Sequence, residues 1–441
     1  MKNKKYKLLL LSALISSSFL TFAQKPNVQE ELKAPKANTE NIPYSMYGVG
    51  YFLNNKHTIN RGMGGVSIAD KQENNLNLSN PATISFLENI SLDFAVEGRQ
   101  NNFLLQGNTT KGGTAGLSYL GLGIPFNKHL GMSVSFQPLS NMYYYAQDEE
   151  NNELLGKHFI TYQGSGGLNK AQLGFSGNYK GLSLGANLGY LFGSFSQSKT
   201  LNSNNDEASM VNSVLNTTRQ VGGLYWDFGA LMHIPIKNEQ FIDIGLKGNI
   251  AQNFNANQNN YAITNSIIGE QMLIDTLRRT EDQAGELVLP ASYGLGLAYG
   301  KKDLWKVLAE ANYTDWSTFS FFNDNRGIRP EASYDFRLGA TFTPSKNSDK
   351  LTYFHMMNYR GGLYFQQDHL QLENAGFQTI GGSIGFSLPL RRQYNYFAKV
   401  HLAFDAGQRK TNISHLGTEN FIKMTIGVSL NDIWFVRPKY D

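Results

Sequence analysis

Along most of the chain an apolar residue falls on every second position. From Leu182 to Phe192 the even positions (Leu182, Leu184, Ala186, Leu188, Tyr190, Phe192) are all apolar, and the odd ones are mostly Ser, Gly or Asn. The same rule runs through Leu224, Trp226, Phe228, Ala230, Met232 and Ile234, then Ile242, Ile244 and Leu246. Near the end it returns in Ala398, Val400, Leu402 and Phe404 and in Met424, Ile426, Val428 and Leu430. A period of two sends successive side chains to opposite faces of a strand, so each segment predicts a strand with one oily and one polar face. About fourteen such segments can be placed, centred near residues 93, 119, 134, 160, 187, 229, 245, 294, 309, 338, 359, 384, 400 and 427.

The connections separate a sandwich from a barrel. Those at 126–129, 237–240, 301–303 and 391–393 are tight, and the ones between them are long, notably 194–221 and 252–287. Short turns on one side and long loops on the other are the outer-membrane pattern, with the turns in the periplasm, whereas a sandwich turns tightly at both ends. Residues 165–180 read as an over-long link on the short side. The expected fold class is all-β: a transmembrane β-barrel of about 14 antiparallel strands, closed because lipid offers no partner to an open edge. Trp305, Trp316, Trp434 and Phe435 near strand ends suit interfacial girdles. Asp227, Asp243, Lys247, Glu310, Arg337, Lys399, His401 and Asp405 fall on the polar face and predict ion-pair networks filling the lumen.

The first 88 residues break the pattern. Lys2, Lys4, Lys5 and Lys7 precede a short apolar stretch ending in Thr21-Phe22-Ala23, the form of a cleaved export signal, so the expected divisions are 1–23 leader, 24–42 flexible lead-in, 43–88 a separate Gly- and Asn-rich unit, and 89–441 barrel. A plug inside a barrel must bring its backbone close to many side chains, which glycine permits. Removing the four leader lysines leaves 35 basic and 35 acidic residues, which excludes an electrostatic nucleic-acid partner. No cysteine is present and the 8 His are scattered, so no metal or cofactor site is expected; no catalytic residue is expected either, because no Gly-x-Ser-x-Gly elbow occurs.

Gly48-Val49-Gly50, Arg61-Gly62-Met63-Gly64-Gly65-Val66, Ala69-Asp70 and Asn77-Leu78-Ser79-Asn80-Pro81-Ala82, just before the first strand, resemble the amino-terminal hatch of FadL-type outer-membrane transporters of long-chain fatty acids and other hydrophobic compounds. Pro43 to Gly48 and Trp434 to Arg437 are similar to the Bacteroidota-type branch. The resemblance implies an N-terminal hatch inside the barrel, with Arg61, Gly62, Gly64, Gly65, Asn80, Pro81 and Ala82 as its marked residues. It implies a monomer in the outer membrane with both termini periplasmic, taking up hydrophobic small molecules past the hatch and releasing them sideways into the membrane lipid. Capture falls to the third and fourth outer loops, where Met210, Val211, Val214 and Leu215, then Ile263, Ile267, Ile268, Met272 and Leu273, stand at roughly helical spacing. Exit falls to Pro138 in the third strand, which has no ladder donor. The alternative is a barrel of this kind serving as a scaffold or partner in protein secretion or surface attachment, without solute transport.

Overall fold

A computed structural model describes residues 42–53, 56–105, 107–152, 156–203, 211–268, 271–323, 331–344, 353–390 and 397–432. Its strands are β1 (Tyr51–Phe52), β2 (Ile90–Leu105), β3 (Asn108–Pro125), β4 (Leu130–Asn152), β5 (Gly156–Tyr179), β6 (Leu182–Ser203), β7 (Val211–Pro235), β8 (Gln240–Asn249), β9 (Gln252–Ile268), β10 (Gln271–Leu289), β11 (Ser292–Lys301), β12 (Trp305–Asp315), β13 (Ser320–Phe321), β14 (Ala332–Phe342), β15 (Asn358–Leu372), β16 (Ala375–Pro389), β17 (Phe397–Lys410) and β18 (Thr418–Asp432). Fourteen of them, β2 to β8, β11, β12 and β14 to β18, form an antiparallel ring that closes where β18 pairs with β2 from Thr418↔Leu104 to Asp432↔Ile90. No helix among the described residues is long and apolar enough to cross a membrane.

The alternation sets the two faces of the wall. On β6, Leu184 is 61% and Leu188 58% exposed, while Ser183 between the same neighbours is fully buried. Leu224, Trp226, Phe228 and Met232 on β7 point outward likewise, and Asp227 turns inward to accept hydrogen bonds from Asn187 (2.7 Å) and Gln172 (3.0 Å). This wall is inside out relative to a soluble protein: leucines are exposed to lipid, and polar groups are paired within.

At one end the chain reverses in short turns, such as Phe126 N–H to Leu130 O and the Lys180-Gly181 turn; at the other, strands run on. β4 to β7 hold 22 to 25 residues, far more than the about ten that span a bilayer. The described residues of the two long outer loops are therefore strands and not helices. Residues 194–203 and 211–221 continue β6 and β7, and 252–268 and 271–287 belong to β9 and β10, whose outer part pairs with β7 from Val211↔Ser266 to Gly222↔Asn255 through β9. Cross-strand pairing decided against the helical spacing. Residues 165–179 are not a link either: β5 runs through them up to the Lys180-Gly181 turn, helped by Gly166 at φ +128°, a value that side chains resist. The connection from 343 to 357, with a helical turn at Tyr353–Met356, is the long one at the short-turn end. Trp316 is 8% exposed inside the barrel, because its indole N–H donates to Ser333 (2.8 Å) and its ring stacks on His369 (4.7 Å), so it joins no girdle. Trp434, Phe435 and the 391–393 turn lie outside the described residues.

Candidate functional site: a plugged seam in the barrel wall

Residues 42 to 88 thread the lumen from the outer end to the turn end, and each stretch has its own partners. At the outer end Tyr44 OH donates to Leu416 O, and the ring lies against Phe377 (4.8 Å) and Phe103 (5.3 Å); burial pushes this hydroxyl up to about 12, so it stays a donor. Midway, Lys56 Nζ donates to Glu310 Oε1 (2.6 Å), and the second Glu310 oxygen accepts from the backbone N–H of Ser67 (2.6 Å) and Ile68 (3.0 Å). Burial draws the Lys56 ammonium down to about 8, while Glu310 pulls the other way. His57 meets Asp93 at 3.1 Å, and Arg337 donates to Gly64 O at 2.9 Å. Glu310, Asp93 and Arg337 thus tie the strands to residues 56–68, each of these buried ions having a partner there as low-dielectric surroundings require.

The hatch residues marked in the sequence fall on these contacts. Arg61 donates to Ser118 Oγ (2.8 Å) and pairs with Glu97; Gly62 packs on Gly385; Gly64, at φ +69°, donates its N–H to Ser383 Oγ (2.7 Å), and Gly65, at φ +81°, follows it. Asn80 caps the short 3-10 helix Pro81–Phe86 by accepting from Ala82 N–H (3.1 Å) and donates to Ile68 O (2.7 Å), while the carbonyl of fully buried Ala82 accepts from Ser183 Oγ (2.6 Å). A second set went unread in the sequence. Gly185, Gly229, Gly245, Gly339, Gly362 and Gly385 stand at inward positions of β6, β7, β8, β14, β15 and β16, and a Cβ on any of them would collide with residues 62–82. Glycine recurring at the inward parity of a strand was the available signal.

The wall itself is incomplete. Among the described residues the β3–β4 ladder has six pairs, from Pro125↔Gly131 up to Leu120↔Phe136, while β4 and β5 pair all the way to Asn152↔Gly156. Pro138 lies two residues above the last pair, and the β4–β5 register shifts between Pro138 and Ser140. Above this point the seam is filled from inside. Tyr51 and Phe52 of β1 pair with Asn141 and Ser140, Leu53 N–H donates to Leu139 O (2.9 Å), and Ile42 N–H donates to Tyr143 O (2.7 Å). Gly50 makes the approach possible, since at φ +86° a Cβ would strike Asn141 O.

Behind the seam the outer lumen holds an apolar cluster beside a buried ion-pair network in which Arg99 pairs with Glu419 (2.7 Å) and Arg409 with Asp368 and Glu419. Val49, Met142, Leu168, Leu191, Phe195, Phe254, Leu287, Phe319 and Phe321 form a buried cluster with Trp316, and Phe52 and Leu139 pack against it from the seam. Of the residues expected to capture ligand, Ile263 is buried and pairs with half-buried Val214, whereas Leu215 is exposed. Val211, Ile267, Ile268, Met272 and Leu273 lie in strands β7, β9 and β10, with Met272 opposite Ile267. Met210 lies outside the described residues.

The BamG family model matches residues 30–441, nearly the whole chain. The chain belongs to the BamG family. Two solved structures share the fold of this BamG-family chain: a Pseudomonas aeruginosa FadL homologue (12% identity, TM-score 0.54, covering 87% of this chain and 99% of that one) and the CymD monoaromatic hydrocarbon channel (13%, 0.53, 87% and 99%). No curated protein matches the sequence. The fold is thus that of FadL-type barrels, and the BamG-family chain is a closed 14-strand transmembrane β-barrel.

Proposed function

We propose that this BamG-family barrel lets hydrophobic molecules enter from outside, rest against the apolar cluster of the outer lumen and leave sideways through the β3–β4 seam into the membrane. The observation that carries it is the seam: a hydrogen-bonded wall offers no exit, and here, among the described residues, six ladder pairs give way next to Pro138 to a gap filled by β1, Leu53 and Ile42. The apolar cluster backs that gap directly, and the likeness to structures described as a FadL homologue and a monoaromatic hydrocarbon channel supports the reading. Ligands of fatty-acid type fit the chamber's chemistry. The turns are assigned to the periplasm, and residues 1–23 to a cleaved leader.

The test replaces Pro138 by Val. A restored donor tightens β4 beside the seam, so uptake of a labelled fatty acid by cells slows several-fold while surface levels stay normal. Unchanged uptake would count against lateral exit. A second reading, in which the barrel is a partner within a protein assembly, is favoured by one observation, that among the described residues β3 pairs with β4 only from Leu120 to Pro125.

A further inference from the structure

At the turn end the lumen holds a cavity of about 380 Å³ between residues 71–75 and the last rungs of β7, β8, β12, β14, β15 and β17. Its two sides differ. Pro235, Ile236 and Phe241 line the β7–β8 side, where His233 holds the carboxylate of Asp243 (2.5 Å). Across the ring, β14, β15 and β17 line the cavity with Thr341, Asn358, Arg360, Lys399 and His401 and with no carboxylate among the described residues.

The cations of this second side lack counter-ions of their own. The carboxylate acting on Arg360 is Asp70, which is already engaged by Lys306, Asn60 (2.6 Å) and Gln72 (2.7 Å). Arg360 donates through Nη1 to Ser387 Oγ (2.5 Å), and its Nε is buried without a partner. Ser387 is itself held in place, because its Oγ lies 2.5 Å from His401 Nδ1 and His401 Nε2 lies 3.0 Å from Ser429 Oγ. Lys399 makes no hydrogen bond or ion pair among the described residues; Arg360 repels it, and Asp303 at the rim draws it. An orphaned N–H beside two like charges is costly unless an acceptor meets them. The chain does not bring that acceptor: the segments leaving this end, 345–352, 391–396 and 433–441, carry Lys346, Lys350, Arg391, Arg392, Arg437 and Lys439 against Asp349 and Asp441.

We propose that this cavity binds a small soluble organic oxyanion, a carboxylate or phosphate on a short apolar body, with the oxyanion on Arg360 and Lys399 and the body toward Phe241 and Ile236. The planar arginine fork takes two oxygens at once, the lysine adds a point charge, and the apolar side covers the remainder of the ligand. The site opens among the turns and not through the β3–β4 seam, so it stands whether or not solute crosses the wall.

The chain has no cysteine, so Thr341→Cys, on the rung between Lys306 and Arg360, reports on the cavity, and Lys128→Cys on the exposed β3–β4 turn is the control. In phosphatidylcholine nanodiscs an anionic thiosulfonate should modify position 341 roughly tenfold faster than a cationic one of similar size, after division by the same ratio at position 128. Octanoate and octyl phosphate at millimolar concentration should slow that reaction several-fold, and octyltrimethylammonium should not. Arg360→Gln with Lys399→Gln should abolish both the preference and the protection. Lys399→Gln alone, which leaves the Arg360 to Ser387 bond in place, should weaken both, so the result does not hang on the double variant. Equal rates for the two reagents, protection by octyltrimethylammonium, protection by phosphatidylglycerol in the disc in place of the soluble acids, protection that survives in both variants, or protection seen only after residues 433–441 are deleted would each overturn the proposal.

Discussion

Leu188 and Asn187 are neighbours in sequence with opposite fates. Leu188 is 58% exposed on the outer wall, and Asn187 points inward and donates to Asp227 (2.7 Å). A lysine on the lipid face near mid-membrane costs about 2–4 kcal/mol, so Leu188→Lys should lower the refolding midpoint in a urea titration, while Asn187→Lys, which places its ammonium beside Asp227, should not. Equal losses would refute the face assignment. Inside, Glu310 is the residue on which the hatch leans hardest, since it accepts from Lys56, Ser67 and Ile68 at once. Glu310→Gln leaves the Lys56 ammonium buried without a counter-charge, at a cost of about 3 kcal/mol by analogy with broken buried pairs. Faster hydrogen exchange at residues 66–69 should report it, and Lys56→Met in the same chain should recover most of the loss. Slow exchange in the single variant would show the anchor lies elsewhere.

At the scale of elements, the strands that cross the membrane were readable because the same physics sets both the pattern and the face: Leu184, Trp226 and Ile426 each alternate with a polar or small residue and each lies outside. Close approach to the wall was readable too at Gly62 and Gly64, where a Cβ would strike Gly385 and Leu363. The outer hairpins were not. Ile263, Ile267 and Ile268 keep a helical spacing, yet the pairing of β9 with β7 and β10, a contact between distant parts of the chain, decides their conformation. The seam was half legible: Pro138 marked the place, but that β1 fills it depends on a two-residue strand with no pattern of its own. This element carries a prediction. Gly50→Val both strains a φ of +86° and drives a side chain into Asn141 O, so β1 should detach from β4, and an apolar fluorescent dye should equilibrate several-fold faster across vesicles holding the variant. A rate equal to that of the unaltered barrel would mean β1 does not close the wall.

On the scale of the whole molecule, residues 56–88 are pinned by polar contacts such as Lys56 with Glu310 and Ser183 with Ala82, while the outer lumen holds an apolar cluster beside the buried Arg99–Glu419–Arg409–Asp368 network and faces a seam closed, among the described residues, by β1, Leu53 and Ile42. Passage through the wall then requires β1 to leave β4. Phe52 and Ser140 face each other in that pairing, and because Leu53 N–H donates to Leu139 O beside them, they form the wide-ring, non-hydrogen-bonded kind of pair whose Cα atoms come within about 4.5 Å, close enough for a disulfide. The most direct measurement is therefore uptake of a labelled fatty acid by cells carrying Phe52→Cys and Ser140→Cys together, before and after reduction in the same sample. Uptake blocked in the oxidised state and restored by the reductant is the predicted result; equal uptake in both states, with the disulfide shown to be formed, would contradict passage through the seam.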